Sequence, residues 1–199
     1  REYQKKLPYP SHFWIFQQLL HPIAFFAVLL LYDVILGKVL LFVLQKLRLL
    51  SFPVYPEEKQ GRRPSDFPAK FPNGLAVLLV HQLAKLERYN KKRKETVTYY
   101  QSALNKKQAI RQIRIPAGSI FLRYPIFVDN PDTLRKASKK QGILLGNWYH
   151  GVIDPKGVDY EIVGYRRGSC PVAEEAARHV VNLPTRIPHY QAVRVVAAI

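Results

Sequence analysis

The chain has 199 residues, 48% of them apolar and 12% aromatic, with 31 Lys plus Arg against 14 Asp plus Glu and a formal charge of +17. This composition excludes a chain disordered throughout. The single cysteine, Cys170, excludes a disulfide framework and a cysteine-based zinc site, and points to a reducing compartment.

Length fits one large domain or two small ones, able to bury roughly 70% of the surface the unfolded chain exposes. The charge favours anionic partners: nucleic acid, an anionic membrane face or phosphorylated small molecules. There is no methionine and residue 1 is Arg. The chain therefore reads as the carboxy-terminal part of a longer protein.

Residues 1–10 are polar and proline-rich. From Ile23 to Leu44 the sequence IAFFAVLLLYDVILGKVLLFVL is long enough to cross a bilayer. Asp33 and Lys38 lie inside it, each costing about 2.5–3.5 kcal/mol at a membrane centre. Five apart, they do not share a helical face. Three readings stand: one span, two shorter helices broken near Asp33–Lys38 in a core or interface, or a block lying on a membrane with Lys38, Lys46 and Arg48 toward anionic headgroups. Residues 51–72, with Pro53, Pro56, Pro64, Pro68 and Pro72, read as a linker.

Asn73 is a candidate N-cap for one long helix, with apolar positions at Leu75, Leu79, Leu83, Leu86, Val97, Tyr100 and Leu104. Its opposite face carries Lys85, Arg88 and Lys91–Lys94. Ser119–Val128 reads as a strand, at an edge or bulge because of Pro125. Asn130-Pro131-Asp132 opens a helix that stops at Gly142. Ile143–Leu145, Trp148–Ile153 and Glu161–Tyr165 read as short β-like pieces around the turn at Asp154–Gly157. Pro171 starts a helix through about Val180, Leu183-Pro184-Thr185 ends it, and Pro188 opens a last helix over Tyr190–Ile199. The expected fold is α+β: an apolar helical insertion and linker over 1–72, a connecting helix over 73–115, and a small α+β domain over 116–199.

Catalytic motifs are sparse. The sequence holds no G-x-S-x-G, H-E-x-x-H, P-loop or dinucleotide-binding glycine pattern. The six histidines do not suggest a metal site, and none is assigned. Cys170 reads as a small residue at a helix start, with no base beside it in sequence. Lys91–Lys94 reads as a solvated helix face, and Tyr100 belongs to the buried stripe rather than to a base-stacking surface, so nucleic acid is not the expected partner. Trp148-Tyr149-His150 joins an indole, a phenol and an imidazole. It is either a ligand-lining segment or an edge strand packing its aromatics.

Three segments in order resemble the DegT-type nucleotide-sugar aminotransferases. In GLAVLLVHQLAKLERYNKKRKETVTYYQSAL (Gly74–Leu104), Ala76, Gln82, Leu83, Leu86, Glu87, Arg93, Tyr100 and Leu104 stand at matching places. RYPIFVDNPDTLRKASKKQGI (Arg123–Ile143) is similar to the family's small-domain strand, helix and Gly-Ile. CPVAEEAARHVVNLPT (Cys170–Thr185) is similar to its near-terminal Pro-x-Ala-Glu helix and Leu-Pro.

The resemblance implies a fold-type-I, pyridoxal-phosphate-dependent enzyme acting as a homodimer. It would transfer an amino group from an amino acid, glutamate by expectation, to a nucleotide-linked keto-sugar for polysaccharide assembly. In the family the Schiff-base lysine lies upstream of the long helix, before a glycine-rich stretch. Lys5, Lys6 and Lys38 lack that context, so no catalytic lysine is assigned and the isolated chain is expected to be inactive. The family's small domain also places a Tyr and a His near the sugar, which carries Tyr149 and His150 over as candidate substrate contacts; Trp148 joins them from the reading of the triplet as a ligand-lining segment. The expected location is cytoplasmic, with peripheral contact or a single span at a membrane left open by the 11–50 block. The alternative function is a non-enzymatic module that binds anionic lipid through residues 11–50.

Overall fold

The computed structural model describes residues 2–31, 34–64, 67–149 and 151–199. The chain divides into two compact units, Arg1–Ala84 and Lys85–Ile199.

In the first unit a short helix α1 (Glu2–Lys6) precedes α2 (His12–Leu30), whose first turn is capped by Ser11 accepting from the Trp14 amide at 3.1 Å. A second helix, α3 (Leu36–Lys46), follows a turn in which the Gly37 amide donates to Leu31 O at 2.8 Å. The apolar block is thus two helices rather than one uninterrupted run. Asp33, one of the two residues expected to mark the break, lies outside the described residues, whereas Lys38 falls within α3. The base of the pair is pinned: Gln17 Nε2 donates to Arg48 O at 2.6 Å and Gln18 Nε2 to Ser51 Oγ at 2.7 Å. These bonds join the start of α2 to the end of α3, so the two helices run antiparallel. Among its described residues the proline-rich stretch holds one turn of helix, α4 (Pro56–Lys59), before α5 (Asn73–Leu83). At Gly74 a Cβ would sit 3.6 Å from Leu19, so α5 packs closely on α2.

The single long helix expected from Asn73 to Leu104 is instead α5 and α6 (Leu86–Leu104), interrupted at Ala84–Lys85. Neither residue is a helix breaker. The two halves differ in what they bury. Val97, Tyr100 and Leu104 are buried as the spacing predicts, but Leu79, Leu83 and Leu86 are exposed. Along the expected stripe, burial is therefore confined to the second half of α6.

In the second unit, β1 (Arg111–Gln112), β2 (Arg123–Phe127) and β3 (Val180–Pro184) form an antiparallel sheet in the order β1-β2-β3. Helices α7 (Pro131–Lys140), α8 (Pro171–His179) and α9 (His189–Ala197) complete the layer, close to their expected bounds. The register pairs Tyr124 with Leu183 and Ile126 with Val181. Period-two alternation puts these four on one face, where they form the core with Val97, Tyr100 and Leu104 of α6 and Ala192 and Val195 of α9.

The order within this unit departs from expectation. Val180–Pro184 is a strand, not a helix end, because the β-branched Val180–Val181 pair finds a partner in β2. Among the described residues, Ile143–Leu145, Trp148–Ile153 and Glu161–Tyr165 form no strands. Gly157 and Gly164 take left-handed φ of 89° and 75°, and local turns absorb the backbone instead.

Candidate functional site

The face of the sheet opposite the core carries Arg123, Pro125, Phe127 and, on β3, Asn182. Asn182 sits in an apolar strand and is buried. Its role is to hold a neighbouring segment. The Gly146 amide donates to Asn182 O at 2.8 Å, and the Asn182 amide returns a bond to Gly146 O at 3.3 Å. The Asn182 side chain then donates from Nδ2 to Trp148 O at 2.8 Å. Gly146 is required by this approach, since a Cβ would meet the Asn182 Cβ at 3.0 Å and its carbonyl O at 3.1 Å.

The strand edge thereby presents Trp148 and Tyr149. Both are more than half exposed, and their rings meet edge to face at 6.5 Å. Tyr149 takes φ +64°, a conformation costing roughly 1–2 kcal/mol for a residue with a side chain. The guanidinium of Arg123 lies 5.2 Å from the Trp148 ring centre. An aromatic face beside a permanent cation can stack on a planar or sugar ring while the cation takes an anionic group. Of the triplet read from sequence, the structure brings together Trp148 and Tyr149; His150 lies outside the described residues.

Sequence reasoning missed Arg123 and Asn182. The signal for Asn182 was present, as a lone amide in the run Val-Val-Asn-Leu-Pro. Arg123 carried none, because it is 25 residues from Trp148 and meets it only through the sheet.

The Gly142-Ile143 segment opens on a second feature, a cavity of about 220 Å³ lined by Leu144, Pro184, Gln191 and Arg194 among others. Arg194 Nη2 donates to Gln141 O at 3.0 Å. In the loop before α8 the Tyr165 hydroxyl and the Gly168 amide both donate to Glu174 Oε1 at 2.6 Å. The Tyr165 bond, then the Gly168 bond, holds the Glu174 carboxyl below the usual carboxylate range, and the same bond raises the Tyr165 phenol. Burial pushes the Tyr100 phenol up; its hydroxyl donates to Pro184 O at 2.9 Å. Tyr100 is therefore core. Lys91, Lys92 and Lys94 are exposed on α6, and Cys170, at the start of α8, is exposed and caps nothing with its side chain.

The model of the DegT/DnrJ/EryC1/StrS aminotransferase family matches residues 45–199. The chain belongs to that family. Its members depend on pyridoxal phosphate. Among solved structures, DesV of S. venezuelae, determined with a ketimine intermediate, is similar at 26% identity and a TM-score of 0.55, over 69% of this chain and 39% of that one. A family aminotransferase from Brucella abortus is similar at 24% identity and TM-score 0.52, over 62% and 33%. AtS13 from Actinomadura melliaura is similar at 15% and 0.55, over 74% and 40%; these last two show the shared fold. The chain thus spans about 39% of the length of DesV. No curated protein matches.

The cofactor needs a lysine amine for its aldehyde and donors for its phosphate. Lys107 Nζ is engaged with Val196 O at 2.8 Å, Lys70 stands 5.0 Å from the Tyr9 ring centre, and Lys5 pairs with Glu2. No lysine lines the Gly142-Ile143 cavity or the larger one of about 430 Å³ between Arg111, Phe127 and α8.

Proposed function

We propose that this chain supplies the small domain of a pyridoxal-phosphate-dependent aminotransferase that moves an amino group from an amino acid, glutamate, to a keto-sugar carried on a nucleotide. The family match over residues 45–199 carries this reading. The Schiff-base lysine is contributed by sequence outside these 199 residues, and the complete enzyme is a cytoplasmic homodimer working in polysaccharide assembly. Within the chain, residues 116–199 with α6 form the substrate-facing part. Trp148, Tyr149 and His150 meet the nucleotide-sugar, with Arg123 beside the indole for its phosphates. The strong positive charge favours the approach of a diphosphate.

Two measurements test this reading. In a Trp14→Phe background, Trp148 is the remaining indole. Its emission should change saturably on titration with uridine diphosphate glucose and stay flat in an Arg123→Ala variant. A flat response with Arg123 intact removes the aromatic segment from the substrate site. The purified chain supplied with pyridoxal phosphate, glutamate and a keto-sugar nucleotide should show no transamination. Turnover would place the reactive lysine within these residues.

A further inference from the structure

We propose that the loop ahead of α8 binds a phosphoryl group through the guanidinia of Arg166 and Arg167. This goes beyond the aminotransferase reading and stands without it. Both arginines line one cavity of about 440 Å³, whose other walls are Tyr160, Glu161, Gly164 and Tyr165. Both are exposed, and among the described residues neither guanidinium has a hydrogen-bond acceptor or a salt-bridge partner. Other cations of the same unit are spent: Arg135 pairs with Asp132, Arg178 with Glu175, and Lys107 Nζ donates to Val196 O. On the cavity wall Glu161 stands alone against two guanidinia, so positive charge is left over for an anion.

The backbone that carries the pair is fixed at several points. The Tyr165 amide donates to Tyr160 O at 2.7 Å, and the two rings meet edge to face at 5.3 Å. Arg166 to Ser169 form a tight turn, closed by the Ser169 amide donating to Arg166 O at 3.1 Å, with Gly168 in the left-handed region at φ +86°. The Glu174 carboxylate senses Arg167 electrostatically, yet its Oε1 is taken up by the Tyr165 hydroxyl and the Gly168 amide, which anchor this turn to α8. The Arg167 guanidinium lies 5.2 Å from the Tyr160 ring centre. A guanidinium resting on a ring, on a turn already tied down, gives up less freedom when it takes a ligand.

Donor geometry selects the anion. A guanidinium is a planar, permanently charged fork that bonds a phosphoryl group through parallel N–H donors. Two forks on one cavity offer more donors than the pair of oxygens on a carboxylate accepts, and a phosphoryl group brings a further oxygen for the second fork. A diphosphate engages both. Inorganic pyrophosphate and the diphosphate of a nucleotide share this chemistry.

The test is a titration of the 199-residue chain with inorganic pyrophosphate and, separately, with uridine diphosphate, followed through the amide resonances of Gly164, Gly168 and Ser169. These should shift saturably. Tighter binding of uridine diphosphate assigns a nucleotide as the source of the phosphoryl group, equal binding assigns the inorganic anion, and the site stands in both cases. Arg166→Ala and Arg167→Ala should each lower the affinity about tenfold or more. Arg167→Lys keeps the charge but gives up the fork, and should lose about as much. Arg123→Ala should bind pyrophosphate as the unaltered chain does, which separates this site from the Trp148 segment. Shifts spread over the basic surface that persist in both alanine variants would overturn the site in favour of bulk charge, as would full affinity in Arg167→Lys. Binding lost in Arg123→Ala but kept in Arg166→Ala and Arg167→Ala would move the anion beside Trp148 and also overturn it.

Discussion

The two units of this chain use apolar residues in opposite ways. Arg1–Ala84 holds the longest apolar runs, yet its buried side chains are small or few, with Ala24, Val28 and Leu50 among them, while Phe26, Leu29, Leu30 and Phe42 are exposed. Lys85–Ile199 carries the basic run Lys91–Lys94, yet closes a core from Val97, Tyr100, Leu104, Tyr124, Ile126, Val181 and Leu183. Apolar content alone does not make a core. What makes one is spacing that meets a partner at the same period: i, i+3 and i+7 on α6 against alternate residues of β2 and β3.

The largest effect that sharpens this contrast is expected at Tyr100. Its ring stacks 5.9 Å from that of Tyr124 and its hydroxyl is bonded to Pro184 O. Tyr100→Ala should cost about 3–5 kcal/mol of the stability of Lys85–Ile199, read as a fall in the denaturant midpoint of that unit's transition. The denaturant transition of Arg1–Ala84 should stay where it is. Loss of both together would break the contrast, because it would make the first unit depend on the core of the second.

A smaller loss follows from Asn182→Ala. It removes the bond to Trp148 O in a buried strand, at about 1–3 kcal/mol. It should also raise the mobility of Trp148, measured as lower fluorescence anisotropy, while the β2–β3 backbone pairing persists. Unchanged anisotropy would show that the Gly146 bridge alone holds the aromatic segment.

Much of this was legible in the sequence. The periodic half of α6, the Pro-started helices α7 and α8, and the strand at Arg123–Phe127 follow from local signals that the fold does not contest. The strand Val180–Pro184 was not legible, because its pairing with β2 is set more than 50 residues away along the chain. The same non-locality hid Arg123 beside Trp148. The break at Ala84–Lys85 was hidden for another reason. Both residues favour helix, and Leu79 and Leu83 are exposed where the spacing predicts burial. The family resemblance, resting on Gly74–Leu104, Arg123–Ile143 and Cys170–Thr185, was carried by short local motifs and so survived these errors.

Within Lys85–Ile199 the buried Ser138 hydroxyl has no hydrogen-bond partner. Ser138→Ala relieves an unmet desolvation cost and adds helix propensity in α7, so the unit should gain up to about 1 kcal/mol. A rise in the midpoint of denaturation checks it. A loss would mean that the hydroxyl is bonded through an ordered water.

The smallest effect is local and set by pH. Glu174 is held ionised by the Tyr165 hydroxyl and the Gly168 amide, which lowers its folded pKa. Its contribution is therefore complete above the usual carboxylate range and is lost as pH falls through the lowered folded value. On the alkaline side the raised Tyr165 phenol keeps its proton beyond the usual tyrosine range, so the bond persists there. The Gly168 amide should exchange slowly at neutral pH, after correction for intrinsic exchange, and lose protection on acidification. In Glu174→Gln that protection should be weaker and independent of pH across the acid range. The core amides of β2 and β3 should not follow either change, because the carboxylate lies at the surface and ties down one loop rather than the sheet. Acid loss of protection in β2 at the same pH would mean that this loop and the core open as one unit.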